Sequence, residues 1–224
     1  MKIEVGILLA LTALCCDGDA QGFVNLNFEQ STIVTSSPSG YGFNSGTANV
    51  PGWTEYNGYG DANYSGGMTV VYNTQTLDDS GIALEGTNYP TPAIQGQYSI
   101  LMFGGTIYAE NSTSGASIGQ SGQIPLTAQS IIYWGNEFQV TFDGQPLSFT
   151  ALSSTPNYTI WGADVSAYAG QTGELLFTAT WPNGGGLLDN IQFSSSPVPE
   201  PSAMSLSALG GLLLVWRRWK ARAV

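Results

Sequence analysis

The sequence has 224 residues, of which 42% are hydrophobic and 9% are charged, and its formal net charge at pH 7 is −11. This hydrophobic share suffices for a folded core, and low charge combined with ample hydrophobicity argues against an intrinsically disordered chain. From Gln21 to Ser196 the sequence has twelve Asp and Glu but no Lys, Arg, His or Cys. Because phosphate binding requires cations, nucleic acid is excluded as a partner.

The first twenty residues have the features of a secretory signal peptide. Lys2 supplies a positive start, residues 5–14 form an apolar run, and Gly18 and Ala20 are small residues at the −3 and −1 positions. The apolar run is too short to span a bilayer as a helix. Two adjacent cysteines leave lipoprotein processing as an alternative, although neither follows the usual lipoprotein pattern. We predict cleavage between Ala20 and Gln21.

Residues 21–196 are predicted to form one domain of short strands. In the stretch Glu137–Phe142, apolar and polar residues alternate, and the following Asp143-Gly144 is a strong hairpin signal. Further predicted strands are Phe23–Glu29, Met68–Asn73, Tyr98–Phe103, Ile131–Trp134, Tyr158–Val165, residues 175–181 and Leu187–Phe193. The domain shows no long stretch of helical periodicity. We therefore predict an all-β fold, an antiparallel jelly-roll-like β-sandwich, flanked by an N-terminal signal helix and a C-terminal transmembrane helix.

The stretch Tyr41–Gly67 is rich in Gly, Asn, Ser and aromatic residues. Tyrosines among adaptable polar residues are typical of recognition loops, and their rings can stack on sugars. The candidate sugar-stacking residues are Tyr56, Tyr59 and Tyr64. The alternative is a long surface loop with Trp53 packed in the core.

The missing residue types exclude most catalytic mechanisms. Without His, Cys or Lys, the domain cannot build a Ser-His or Cys-His couple, a Schiff base or a usual zinc site. Among catalytic mechanisms, those that use carboxylates remain possible for these residue types, chiefly glycoside hydrolysis by a pair of Asp or Glu. The adjacent Asp78 and Asp79 would point to opposite faces of a strand, and a solvated turn explains them better, as it does Glu55, Asp61 and Glu85. We assign no catalytic residue, and a polysaccharide-cleaving enzyme with a carboxylate pair is the alternative.

The C-terminal residues 197–224 combine three features in a fixed order. An extended Pro-rich stretch, Val198-Pro199-Glu200-Pro201, precedes the uncharged apolar segment 202–216. A helix of that length covers about 22 Å, against about 30 Å of hydrocarbon, so it would span a membrane only marginally. Four basic residues follow at once and are predicted to retain the tail in the cytoplasm: Arg217, Arg218, Lys220 and Arg222.

This C-terminal arrangement resembles the PEP-CTERM sorting signal, a region also catalogued as an ice-binding-protein C-terminal domain. The resemblance implies a bacterial protein that is exported, held transiently in the inner membrane and processed by exosortase. It further implies a place at the cell surface or in the extracellular matrix, in association with exopolysaccharide and biofilm. Val198, Pro199, Glu200 and Pro201 would then form the sorting motif.

Three short segments of the domain resemble the framing of galactose-binding-like jelly rolls, which include carbohydrate-binding modules. They are Asn25–Glu29, Pro51-Gly52-Trp53 and Leu188–Ile191. The resemblance implies a structural Ca²⁺ held by Glu29 and Asp189, with backbone carbonyl groups completing the shell. The alternative is that Glu29 is exposed and Asp189 lies in a turn. Together these features predict a non-catalytic, polysaccharide-associated surface protein.

Overall fold

The computed structural model describes residues 22–36, 46–56, 70–73, 81–87, 92–104, 115–180 and 184–198. These residues form fourteen strands and one short 3₁₀ helix, Ser166–Tyr168. The strands are β1 Thr32–Ser36, β2 Gly46–Asn49, β3 Thr54–Tyr56, β4 Val70–Tyr72, β5 Ile82–Gly86, β6 Tyr98–Phe103, β7 Ser117–Gln123, β8 Ser130–Gly135, β9 Gln139–Phe142, β10 Gln145–Pro146, β11 Thr150–Ser154, β12 Thr159–Asp164, β13 Thr172–Thr178 and β14 Gly185–Ser194.

The described strands form two sheets. The large sheet has the order β1-β2-β4-β5-β6-β14-β8-β12-β11, and the small sheet has the order β10-β9-β13-β7-β3. All pairs of neighbouring strands are antiparallel except β4 and β5, which run parallel with Val71 opposite Ala83. The predicted all-β sandwich is confirmed, the antiparallel prediction is wrong for this one pair, and the jelly-roll connectivity stays a prediction.

The core lies between the sheets because alternate residues of each strand point inward. The large sheet contributes Ile100 and Tyr133, the small sheet contributes Val140 and Phe177, and all four side chains are buried. Tyr133 and Phe177 meet edge to face, with ring centroids 5.4 Å apart. This aromatic contact joins the two sheets directly.

The opposite, outer face of the large sheet also buries side chains. Ala83, Leu101 and Leu187 lie on neighbouring strands and form a second, smaller apolar cluster. Ile94, from the segment that precedes β6, packs against this cluster. The segment 92–97 therefore folds over the outer face of the large sheet.

The stretch with the clearest alternation, Glu137–Phe142, contains β9. Tyr98–Phe103 is a strand over the predicted residues, and the Asp143-Gly144 turn joins β9 to β10 with positive φ at both residues, 48° and 74°. The strand predicted at Phe23–Glu29 is wrong. Asn25 and Phe28 have φ of 50° and 60°, so this segment turns instead of extending.

Within the described ranges, no helix is long and apolar enough to cross a membrane. The predicted signal helix at 1–20 and the apolar segment at 202–216 lie outside those ranges.

Candidate functional site

The three segments that frame the domain meet in space. Trp53 donates its indole N–H to the carbonyl oxygen of Asn25 at 3.0 Å, and the Asn25 amide donates to Pro51 O at 3.3 Å. In the last strand, the Ile191 N–H donates to Leu26 O at 3.0 Å. These bonds place the turn that carries Glu29 beside the strand that carries Asp189. Trp53 is buried, so its assignment to the core is confirmed.

Asp189 lies on β14, on the outer face of the large sheet, and is fully buried. Its Oδ2 accepts hydrogen bonds from the Gln95 N–H at 2.9 Å and the Ser99 hydroxyl at 2.7 Å. Its Oδ1 accepts from the Asn190 N–H at 2.6 Å. The pKa of Asp189 is raised to about 6, chiefly by burial and to a smaller extent by the nearby Glu29 carboxylate, while these hydrogen bonds act to lower it.

Glu29 binds the same short segment from its other side. Its Oε1 accepts hydrogen bonds from the N–H groups of Gln97 at 2.8 Å and Tyr98 at 3.1 Å. Gly96 lies in the chain between Gln95, which binds Asp189, and Gln97, which binds Glu29; its φ is +66°, and a Cβ there would collide with the Glu29 carboxylate. The structure thus brings the two predicted ligands together around residues 95–99. Asp189 lies in a strand, so the alternative that placed it in a turn is wrong.

The donor set of this pair fits a hard cation. Calcium prefers carboxylate and carbonyl oxygens, usually six to eight of them. Among the described residues, Glu29 Oε2 receives no hydrogen bond and Asp189 Oδ1 receives one, so both oxygens can still coordinate. No group of three or more His, Cys, Asp and Glu converges in the described ranges, so carbonyl oxygens and water would have to complete the shell.

Glu85 was missed by the sequence analysis, which placed it in a solvated turn. It lies inside β5, directly opposite Ser99 of β6, and its side chain is fully buried. Glu85, Ser99 and Asp189 therefore follow one another across three adjacent strands on the outer face. The short apolar run Ile82-Ala83-Leu84 was the signal that could have placed Glu85 in a buried strand. Glu55 is likewise in a strand, β3, and burial raises its pKa.

Of the three predicted sugar-stacking tyrosines, only Tyr56 lies in the described ranges; Tyr59 and Tyr64 do not. Tyr56 ends β3, and its hydroxyl donates a hydrogen bond to Glu174 Oε1 at 2.7 Å. Partial burial and this carboxylate raise the pKa of Tyr56 to about 12. The hydroxyl is thus engaged within the small sheet.

The terminal site residues lie mostly outside the described ranges. Val198 is described and half-buried. The others lie outside the described ranges: Ala20, Gln21, Pro199, Glu200, Pro201, Arg217, Arg218, Lys220 and Arg222.

The described residues define an all-β, sandwich-type domain in which Glu29 and Asp189 both accept hydrogen bonds from the main chain of residues 95–98. The chain carries a PEP-CTERM protein-sorting motif at residues 197–218, which confirms the resemblance seen in the sequence. This motif implies export, sorting to the cell surface and processing by exosortase. No curated protein matches the chain. Among solved structures, the K2 cleaved adhesin domain of Lys-gingipain (Kgp) aligns with 74% of this chain and 98% of its own, at 13% identity and a TM-score of 0.36.

Proposed function

We propose that this protein is a non-catalytic, polysaccharide-associated component of the bacterial cell surface or extracellular matrix. The observation that carries the proposal is the sorting motif, which starts at residue 197, directly after β14 ends at Ser194. The β-sandwich is therefore the part of the chain that exosortase processing delivers outside the cell.

The chemistry of the domain favours binding over catalysis. A glycosidase needs an acid and a base or nucleophile that reach the substrate from two sides. Glu29 and Asp189 instead accept hydrogen bonds from the main chain of residues 95–98, and Asp189 is fully buried. These two carboxylates therefore serve the fold rather than a reaction.

A structural Ca²⁺ at Glu29 and Asp189 belongs to the same proposal. Burial is the main cause of the raised pKa of Asp189, and repulsion by the nearby Glu29 carboxylate adds to it, so ionisation of Asp189 at this place is costly. A divalent cation would offset the repulsion and fix the segment 95–99 against the sheet.

Incubation with a panel of soluble polysaccharides tests the proposal. The full-length chain, purified in mild detergent, should migrate more slowly in native gels that contain a polysaccharide it binds. It should release no reducing sugar ends from that polysaccharide. Reducing ends that increase with protein concentration would instead support the carboxylate-pair enzyme. Absence of both retardation and release across the panel would contradict polysaccharide association.

A further inference from the structure

Two stacked rings stand on the outer face of the large sheet, whereas Tyr56 lies on β3 of the small sheet. Trp134 on β8 and Tyr158, which immediately precedes β12, lie with ring centroids 5.1 Å apart and ring planes inclined by only 6°. Tyr133, the neighbour of Trp134, points into the core, so Trp134 points outward. Both stacked side chains are half-buried.

The backbone that carries Tyr158 is tightly held. The Thr155 N–H and hydroxyl both donate to Tyr158 O, at 2.8 and 2.9 Å, and the Tyr158 N–H donates to Thr155 Oγ1 at 3.0 Å. This closed turn orients the ring before any ligand arrives. Preorganisation of this kind reduces the entropy that binding would otherwise cost.

Polar and apolar groups surround the rings on the same sheet. Ile160 lies directly opposite Trp134, and Ser153 lies opposite Ile160. All five residues of β11 are exposed, and β11 is one of the two edge strands of the large sheet as described. Ring faces beside hydroxyl groups are the surface that a sugar requires, because its C–H faces stack while its hydroxyl groups form hydrogen bonds.

The charge of this surface selects the ligand. No charged residue occurs in Ser130–Gly135 or in Thr150–Ala163, and the whole domain from 21 to 196 lacks Lys, Arg and His. An anionic polymer would meet no Lys, Arg or His side chain here and would be repelled by the acidic domain. A neutral polysaccharide needs no basic partner and is not repelled by the acidic domain.

We propose that Trp134 and Tyr158 form a docking platform for neutral sugar residues of an extracellular polysaccharide. This inference rests on the proposed function and names the surface that performs it. The competing explanation is that the ring pair only joins β8 to β12. Phe23 and Phe193 provide a matched control, because they form another stacked, half-buried pair, with centroids 5.4 Å apart and planes inclined by 28°.

The test uses the full-length chain in mild detergent, with neutral glucans, galactans and mannans and with anionic alginate as probes. Trp134→Ala and Tyr158→Ala should each weaken neutral-glycan binding by about tenfold or more, since a Trp or Tyr at the centre of a binding surface often contributes that much. Phe193→Ala should leave binding unchanged although it removes a comparable ring contact. Tyr158→Phe, which retains the ring, should keep most of the binding.

The outcomes separate this inference from the proposed function. If the parent chain binds a neutral glycan and the platform variants bind as Phe193→Ala does, the platform is wrong and the function stands. Preferential binding of alginate would also overturn the platform. If the parent chain binds no glycan, both proposals fail. Should Trp134→Ala not fold, the comparison of Tyr158→Ala with Tyr158→Phe decides the question.

Discussion

Glu29 and Asp189 bind the main chain of one short segment from two sides, although they lie near opposite ends of the domain sequence. Glu29 accepts from the N–H groups of Gln97 and Tyr98, and Asp189 accepts from that of Gln95. The segment thus connects the N-terminal turn to the last strand. A substitution that disturbs this segment should therefore lower the free energy of unfolding of the domain.

Substitution of Gly96 tests this connection. Gly96→Ala places a side chain at a φ of +66° and against the Glu29 carboxylate, so we expect a loss of about 3 kcal/mol in the free energy of unfolding. Gly144→Ala is the matched control, because Gly144 has a φ of +74° with nothing within 4 Å of an added Cβ. It should cost about 1 kcal/mol. Urea denaturation measures both losses.

The excess loss at Gly96 should depend on Glu29. In a Glu29→Ala background, Gly96→Ala should cost close to what Gly144→Ala costs, because the colliding carboxylate is gone. Equal losses for both glycine variants in the parent chain would show that Glu29 does not pack on this segment.

Calcium should stabilise the domain through the same pair. Millimolar Ca²⁺ should raise the Tm of the EDTA-treated protein, and Glu29→Ala or Asp189→Ala should abolish the increase. Asp164→Ala is a suitable control, because that carboxylate is exposed and accepts a hydrogen bond from the Ser166 N–H. A Tm that is indifferent to both EDTA and Glu29→Ala would disprove the site.

Asp189 should make the stability of the domain depend on pH. Its pKa rises from 3.8 to about 6 on folding, so between these values the folded chain binds more protons than the unfolded chain. Without divalent cations, its contribution to stability is therefore largest below pH 4 and decreases as the pH rises through 6. Asp189→Asn should remove this part of the slope in denaturation series from pH 4 to 7. An identical slope in both proteins would contradict the assignment.

The sequence predicted those parts of the fold that depend on local pattern. Alternation located β9 and the Asp143-Gly144 hairpin, because apolar and polar residues alternate in a strand that is buried on one face only. The segment Phe23–Glu29 shows the same alternation yet turns, since Phe28 is fully buried and its ring packs against Trp53, with centroids 5.4 Å apart. Tertiary packing of this kind has no signal in a short window.

The candidate site, too, could be predicted from the sequence only in part. Glu29 and Asp189 were found through a resemblance, and their meeting point at residues 95–99 depends on long-range contacts that composition cannot reveal. The Trp134–Tyr158 pair arises from the register of β8 and β12, in which Trp134 lies opposite Ile160. A one-residue change of register would separate the rings.

The basic tail should decide whether processing occurs. Replacement of all four tail cations with Ser should let the tail pass through the membrane, because charged residues after an apolar segment stop translocation. The precursor should then escape processing. Glu200→Ala should instead leave an uncut precursor in the membrane fraction. Immunoblots of membrane and medium fractions check both variants, and normal processing of either would contradict its assigned role.

The account depends most directly on the removal of the C-terminal signal. Mass spectrometry of the mature protein, isolated from a host that contains exosortase, should find a new C-terminus within or close to Val198–Pro201 and no peptide from residues 202–224. A mature surface protein that retains Arg217–Arg222 would show that the segment is a permanent anchor and would contradict sorting by exosortase.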